Sequence, residues 1–422
     1  MSKKARSCVR SRSSVRKKSN RLHRQICLGI EFEEYSRIWH DAGKVRELVE
    51  QQMLESPELF PMDMREKGYH LTGLLPESKK MPGIRLRQVK VGKTRYTLRP
   101  SFLMVYMSGT VEDVDSPLFL LSLGVPAWAI TRVFGRNDMY WYRHVERLGR
   151  NSLVGTTISS PENLPQHIVA DEHHARWCGE KGYVAMTVGK ECFLGISLTQ
   201  KADEKSLTEG YRDFKDETTL LDETYKPETV NIDGWTATKN TFLALFPTIT
   251  IILCFLHGFL KIRDRCRKEH ELHDRVWDVY RAETPEQFKN GMRELLKWIN
   301  ERSWPPAVRQ AVEKLVRREH EYAKSYAHPR CLRTSNMVDR LMNRLTRYLY
   351  DGRGLHGHQW NSELRLRGWA LLRNFTPYAP RANQKRNYSS PVHLINKKVY
   401  HDHWLHNLNI SASLAGFRRG CT

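Results

Sequence analysis

The stretch DGWTATKNTFLALFPTITIILCFLHGFLK, Asp233 to Lys261, carries no charged side chain between Thr241 and Leu260. About 20 apolar residues suffice to cross a bilayer, so length alone allows a membrane span. Composition argues against one. Pro247 divides the run into TFLALF, which suits a short helix, and TITIILC, whose clustered β-branched residues suit a buried strand. A span must satisfy its backbone hydrogen bonds within one helix, so no membrane partner is expected. The segment reads instead as the interior of a sheet, with Asp233 before it and Cys254 and His257 at the end of its strand.

Working outward, QHIVADEHHARW, KGYVAMTVGK and ECFLGISLT between residues 160 and 200 read as three adjacent antiparallel strands, the first bearing Asp171. ADEKSLTEGYRDFKD (202–216) suits a helix, KPETVNID is a fourth strand ending on Asp233, and TITIILC is a fifth. Residues 261–330 are charged and helical in period, with Trp277, Leu295, Leu296, Trp298 and Val312 to Leu315 as apolar stripes. TSNMVDRLMNRLTRYL (334–349) is an amphipathic helix with Val338, Leu341, Met342, Leu345 and Leu349 on one face and Asn336, Asp339 and Asn343 on another. The fold class expected is α/β, a mixed sheet flanked by helices with an all-helical insertion at about 264–331.

Upstream, residues 36–57 form a helix pattern with Val45, Leu48, Val49, Met53 and Leu54 on one stripe. GIRLRQVKVGKTRYTLRP (83–100) reads as a hairpin about Gly92, presenting Arg85, Arg87, Lys90, Lys93 and Arg95 either to phosphates or to solvent on an aggregation-resistant edge. SPLFLLSLGVPAWAITRVFGRNDMYWYRHVERLGR (116–150) breaks at Pro117, Gly124, Pro126 and Gly135 into three short helices. That is a helix-turn-helix candidate, whose last helix carries Arg136, Asn137, Tyr140, Tyr142, Arg143 and Arg147. Tri-helical units also occur without DNA. The expected organisation is a basic disordered arm at 1–24, an α+β region at 25–115, the helix-turn-helix at 116–155, the sheet domain at 160–375 and a C-terminal tail at 376–422. His401, His403 and His406 in that tail read as surface decoration.

The chain has 422 residues and a net charge of +22. Such an excess points to a polyanion, most naturally nucleic acid. Ten Lys or Arg and no acid stand in the first 24 residues, suiting an arm along phosphates or a solubilising tail. Eight cysteines without a CxxC pair suit free thiols in a reducing compartment.

Asp171, Asp233 and Asp339 thus fall on rigid elements, as phosphodiester chemistry with two divalent ions about 4 Å apart requires. No Gly-rich phosphate loop, G-x-S-x-G or HExxH competes. The order strand-Asp, strand-Asp-Gly-Trp, strand with Cys254-x-x-His257, helical stretch, then T-S-N-x-x-acid-x-x-x-N-R resembles the RNase H-like catalytic domain of DDE/D transposases, particularly Mutator-like and bacterial insertion-sequence groups. The similarity covers about residues 160–375, including SELRLRGWALLRNFTPYAP. It implies that Asp171, Asp233 and Asp339 hold two Mg²⁺ or Mn²⁺ ions, with Cys254, His257, Asn336 and Asn343 in support. It further implies cleavage at transposon ends and strand transfer by a homo-oligomer bound to double-stranded DNA, in the bacterial nucleoid or a nucleus. The family's third acid is usually Glu, and Asp339 departs from it.

Other readings stay open on the residues alone. Asp339 can answer Asn336 as a helix-cap acid, Asp233 before Gly234 can be a turn residue, and a register shift of one exchanges Asp171 with Glu172. Cys254 and His257 are also consistent with a buried thiol and a core histidine. A DNA-binding regulator descended from such an enzyme, or a structure-selective nuclease on the same fold, are the rival functions.

Overall fold

The computed structural model describes residues 23–350, 352–382 and 387–418. The basic arm, apart from His23 and Arg24, lies outside the described residues. The α/β expectation holds, with two mixed sheets.

The first sheet runs β1-β4-β3-β2, with β1 Gln25–Leu28 parallel to β4 Thr94–Pro100, and β3 Arg87–Val91 antiparallel to both β4 and β2 His70–Leu74. Helix α1, Ala42–Glu55, is capped by Asp41, which accepts from the amides of Gly43 and Lys44. It buries Val45 and Val49, whereas Leu54 at the end of the expected stripe is 83% exposed. The β3–β4 hairpin turns at Gly92 as expected, but its arginines split. Arg87 is buried and donates to the carbonyls of Trp39 and His40, and Arg85 is held by the carbonyl of Leu75. Lys90, Lys93 and Arg95 stay exposed. Alternation put all five on one ribbon; Arg87 is drawn inward because two carbonyls at the end of the helix before α1 need donors.

Three helices follow: α2 Val111–Ser122, α3 Ala127–Phe134 and α4 Asp138–Leu148. A capping box of Thr110 and Asp113 starts α2 ahead of Pro117, which lies inside the helix and not at its start. Asn137 caps α4 as its composition indicated. The last helix, however, buries Trp141, His144, Val145 and Leu148 against α9, Gln359–Phe375. Two glycines let the backbones meet: a Cβ at Gly368 would lie 1.8 Å from the Val145 carbonyl oxygen, and one at Gly149 1.9 Å from that of Leu364. Asn137 is spent on its cap, and Tyr140 donates to the Ser108 carbonyl. Tyr142 lies beneath the Arg365 guanidinium and Arg147 is half-buried. Of the expected reading face, Arg136, Asn137 and Arg143 are exposed. The three helices form, but the third is clamped to the larger domain.

The second sheet runs β7-β6-β5-β8-β9. Strands β5 His167–Trp177, β6 Glu180–Gly189 and β7 Cys192–Thr199 are antiparallel, and β8 Thr229–Ile232 and β9 Thr250–Leu253 are parallel to β5. One face, with Ile168 and Ala170, packs on α5 Glu204–Leu221 and α6 Thr236–Leu245 through Leu207, Tyr211 and Phe242. The other, with Val169, packs on α8 Asn336–Tyr350 and α9 through Val338, Leu341 and Trp369. Asn374 pins α9 to β7 by exchanging two 2.8 Å hydrogen bonds with the Phe193 backbone. The apolar opening stretch is therefore the end of α6, strand β9 and helix α7, Phe255–Arg263. Among the described residues no helix is long and apolar enough to cross a membrane. Helices from His270 to Ala327 form the expected insertion between α7 and α8.

The described residues 376–382 and 387–418 are not a tail. Helix α10, Trp404–Ser411, is buried along its length, and Ile410 and Leu414 complete the core of the first sheet.

A candidate acidic cleft

Three parallel strands set the site. Because His167 pairs with Thr229 and Val169 with Asn231, the same register carried two residues further sets Asp171 opposite Asp233. Pairing of Ile232 with Leu253 likewise sets Cys254 beside Asp233. The strand ends thus line up an acid, an acid and a thiol where the sheet opens.

Successive strand residues face opposite sides, and this separates Asp171 from Glu172. Asp171 shares the face of Val169, on which α8 brings Asp339. Glu172 shares the face of Ala170, is 7% exposed, and accepts from Tyr211 Oη at 2.7 Å and Thr238 Oγ1 at 2.8 Å. Its amide donates to Asp171 Oδ1 at 2.8 Å.

Asp171, Glu172, His173, His174, Asp233, Trp235, His257, Asp339 and Met342 line one cleft. Asp171, His257 and Asp339 each bring a ligand atom within 4.8 Å of the other two. Asp233 faces the same cleft but stands apart from that tight group. Its Oδ1 accepts the Trp235 amide at 2.7 Å, a turn geometry that draws the carboxylate toward its own chain.

A polar chain holds the helix end to the strand. The Ser335 amide donates to Cys254 Sγ at 3.1 Å, and the thiol donates to Ser335 Oγ at 3.2 Å. Ser335 Oγ lies 3.4 Å from His257 Nδ1 and donates to Asp339 Oδ2 at 2.9 Å. Burial, and then the Glu172 charge, push Asp171 up to about 7. Hydrogen bonding in the Cys254 chain, and then the charges of Asp171 and Asp339, push His257 up to about 9. The cleft is thus an acid cluster with a basic imidazole at its edge, a donor set that accommodates a divalent cation.

The structure places the expected site residues as follows. Asp171, Asp233, Asp339 and His257 meet in the cleft, and Cys254 supports it from behind. Asn336 and Asn343 are exposed and line no part of it; Met342 occupies the next turn instead. Ser335 was missed as a linker, although the Thr334-Ser335-Asn336 run was its signal. Arg318, from the insertion, was also missed. Gly234 has φ +90°, and a Cβ there would lie 2.9 Å from both terminal nitrogens of the Arg318 guanidinium. An adjoining concavity, sharing His174, is lined by Ala175, Arg176, Gly179 and Lys181.

No protein-family model matches the chain, and no curated protein matches its sequence.

Proposed function

We propose that the chain is a DNA transposase of the DDE/D class, cutting phosphodiester bonds at transposon ends and joining the freed 3′-hydroxyl to target DNA. The observation that carries this reading is the meeting of Asp171, Asp233 and Asp339, from two strands and a distant helix, in one open cleft of a strongly basic protein. The sheet, with three antiparallel strands continued by two parallel ones and a helical insertion before the helix of Asp339, supports an RNase H-like domain.

Asp171 and Asp339 would hold Mg²⁺ or Mn²⁺, joined by Asp233 on release of its turn contact. When bound, these ions activate water and neutralise charge on the scissile phosphate. The chain's own groups do the rest. Ser335 orients Asp339, Glu172 and its partners fix the strand carrying Asp171, and Arg318 steadies the Asp233–Gly234 turn. Arg176 and Lys181 beside the cleft attract the phosphate backbone, a contact that weakens with salt. Alignment of two ends requires at least two copies.

The test mixes purified full chain with Mg²⁺ or Mn²⁺ and duplexes taken from the DNA flanking its own gene. Wild type is expected to give 3′-hydroxyl cuts and joined products, and Asp233→Asn and Asp339→Asn to lose both. Equal product from all three refutes the assignment. Cutting without joining marks a nuclease, and binding without metal-dependent product marks a regulator.

A further inference from the structure

A second group of side chains with metal-ligand chemistry lies away from the acidic cleft and brings an N-terminal segment to a C-terminal one. Glu31 follows β1, while His401 and His406 flank the start of α10. One ligand atom from each of the three lies within 4.8 Å of the others. Glu31 Oε1 is 3.0 Å from His401 Nε2, and Oε2 is 3.7 Å from His406 Nε2. A tetrahedral zinc ion bound at about 2.0–2.2 Å separates its ligands by about 3.3–3.6 Å, so small side-chain movements bring one atom of each residue to that spacing.

The surroundings fix His406. His406 is 6% exposed, and its Nδ1 is 2.9 Å from Ser101 Oγ. Ser101 Oγ in turn donates to the Ile30 carbonyl, so His406 presents Nε2 to Glu31. A ligating histidine is usually fixed in this way through its other nitrogen. His401 stacks on His406 with centroids 4.5 Å apart and planes 19° from parallel, so its ring turns out of the stack for both Nε2 atoms to meet one ion. Its Nδ1 accepts the His403 amide at 2.9 Å, so its neutral form carries the proton on Nε2. Ligation through Nε2 moves that proton to Nδ1 and gives up this hydrogen bond and the stack, a small loss beside typical zinc-site affinities. His403 is turned aside, its Nε2 3.6 Å from Asp115 and its Nδ1 accepting the Leu405 amide.

We propose that Glu31, His401 and His406 form a structural site for zinc or a similar borderline cation, with water in the fourth position, that rivets the C-terminal segment to the N-terminal sheet. Two imidazoles and one carboxylate select zinc over magnesium, the reverse of the acidic cleft. The site is independent of the transposase reading.

The full chain, stripped with EDTA, is titrated with Zn²⁺ alone by calorimetry and with Co²⁺ alone by visible absorption. The comparison is wild type, Asp171→Asn/Asp339→Asn, which disables the cleft, and that cleft-disabled chain with Glu31→Gln/His401→Asn added, which disables the rivet as well. The cleft variant is expected to keep one tight zinc equivalent and a tetrahedral cobalt spectrum, and the rivet variant to bind at least about 100-fold more weakly. Zinc should raise the melting temperature of the cleft variant and protect residues near 400 from protease. In the same cleft-disabled background Glu31→Gln as the sole rivet change, at a half-exposed side chain, serves if the fuller variant fails to fold. Unchanged tight binding in either rivet variant, loss of all tight binding in the cleft variant, or an octahedral cobalt spectrum overturns the proposal and leaves a plain histidine–carboxylate contact.

Discussion

Ser335 Oγ donates to Asp339 Oδ2 at 2.9 Å, one helical turn apart, while its amide is tied to Cys254 of the neighbouring strand. The carboxylate is thereby aimed from the helix start into the cleft. A hydrogen bond to a charged group is worth about 1.5–3 kcal/mol. Ser335→Ala is therefore expected to lower cleavage roughly 10- to 100-fold with little change in melting temperature, and Ser335→Thr to restore much of it. Single-turnover rates with defined duplexes check this; full activity in the alanine variant would show that Asp339 needs no such aim.

Glu172 is held by two hydroxyls on the face away from Asp339. Tyr211→Phe removes one donor from a buried carboxylate and should destabilise the fold by about 1–3 kcal/mol. Glu172→Gln, which relieves the buried charge, should be milder. Urea unfolding of both variants, read with metal affinity, distinguishes a supporting acid from a ligand: a complete loss of metal binding in Glu172→Gln would move the ligand role to it.

Gly368 touches the backbone of α4 so closely that any Cβ collides with the Val145 carbonyl. Gly368→Ala is expected to push the three-helix unit off α9 and cost about 1–3 kcal/mol. Denaturant titration measures it, and a loss below about 1 kcal/mol would mean that the contact yields easily.

His144, 1% exposed within the same unit, is pushed down from 6.5 to about 4 by burial and then by Arg147. The folded state keeps it neutral while the unfolded chain takes up a proton below 6.5. Its contribution is full above pH 6.5 and is lost as pH falls toward 4, by about 3 kcal/mol in all at about 1.4 kcal/mol per pH unit. Unfolding of wild type and His144→Leu at pH 7.5, 5.5 and 4.5 tests this, the variant showing the flatter profile. Parallel profiles would contradict it.

Basic residues on the two sheets should behave differently towards DNA. Arg176→Ala and Lys181→Ala are each expected to reduce the steepness of log affinity against log salt by up to about 0.9, whatever the sequence bound. Arg87→Ala should leave that slope unchanged and lower stability, since its buried guanidinium serves two backbone carbonyls. A slope altered by Arg87→Ala alone would place DNA on the other sheet.

Strand alternation, β-branched clusters and turn residues made the central sheet and its two strand-borne acids readable before any coordinates. Local pattern stops at contacts made over long separations. Asp171 and Glu172 are chemically similar neighbours, and only the side on which Asp339 arrives separates them. Arg87 resembles Lys90 until the carbonyls of Trp39 and His40 are placed beside it. Helix α4 carries the polar residues of a reading helix, but Gly149 and Gly368 bury its other side. His406 sits among polar residues and was read as surface, because the partners that bury it, such as Ser101, lie some 300 positions earlier.

The sharing of one core by Leu28, Val89 and Leu98 with Ile410 and Leu414 sets an order of events during synthesis. Strand β4 ends at Pro100 and α10 begins at Trp404, 304 positions later. At roughly 5–20 residues per second, the ribosome takes about 15–60 s to cover that interval. Throughout it the emerging first sheet has one flank open to water, available to chaperones or to another nascent copy, and it is sealed only when the last helix arrives.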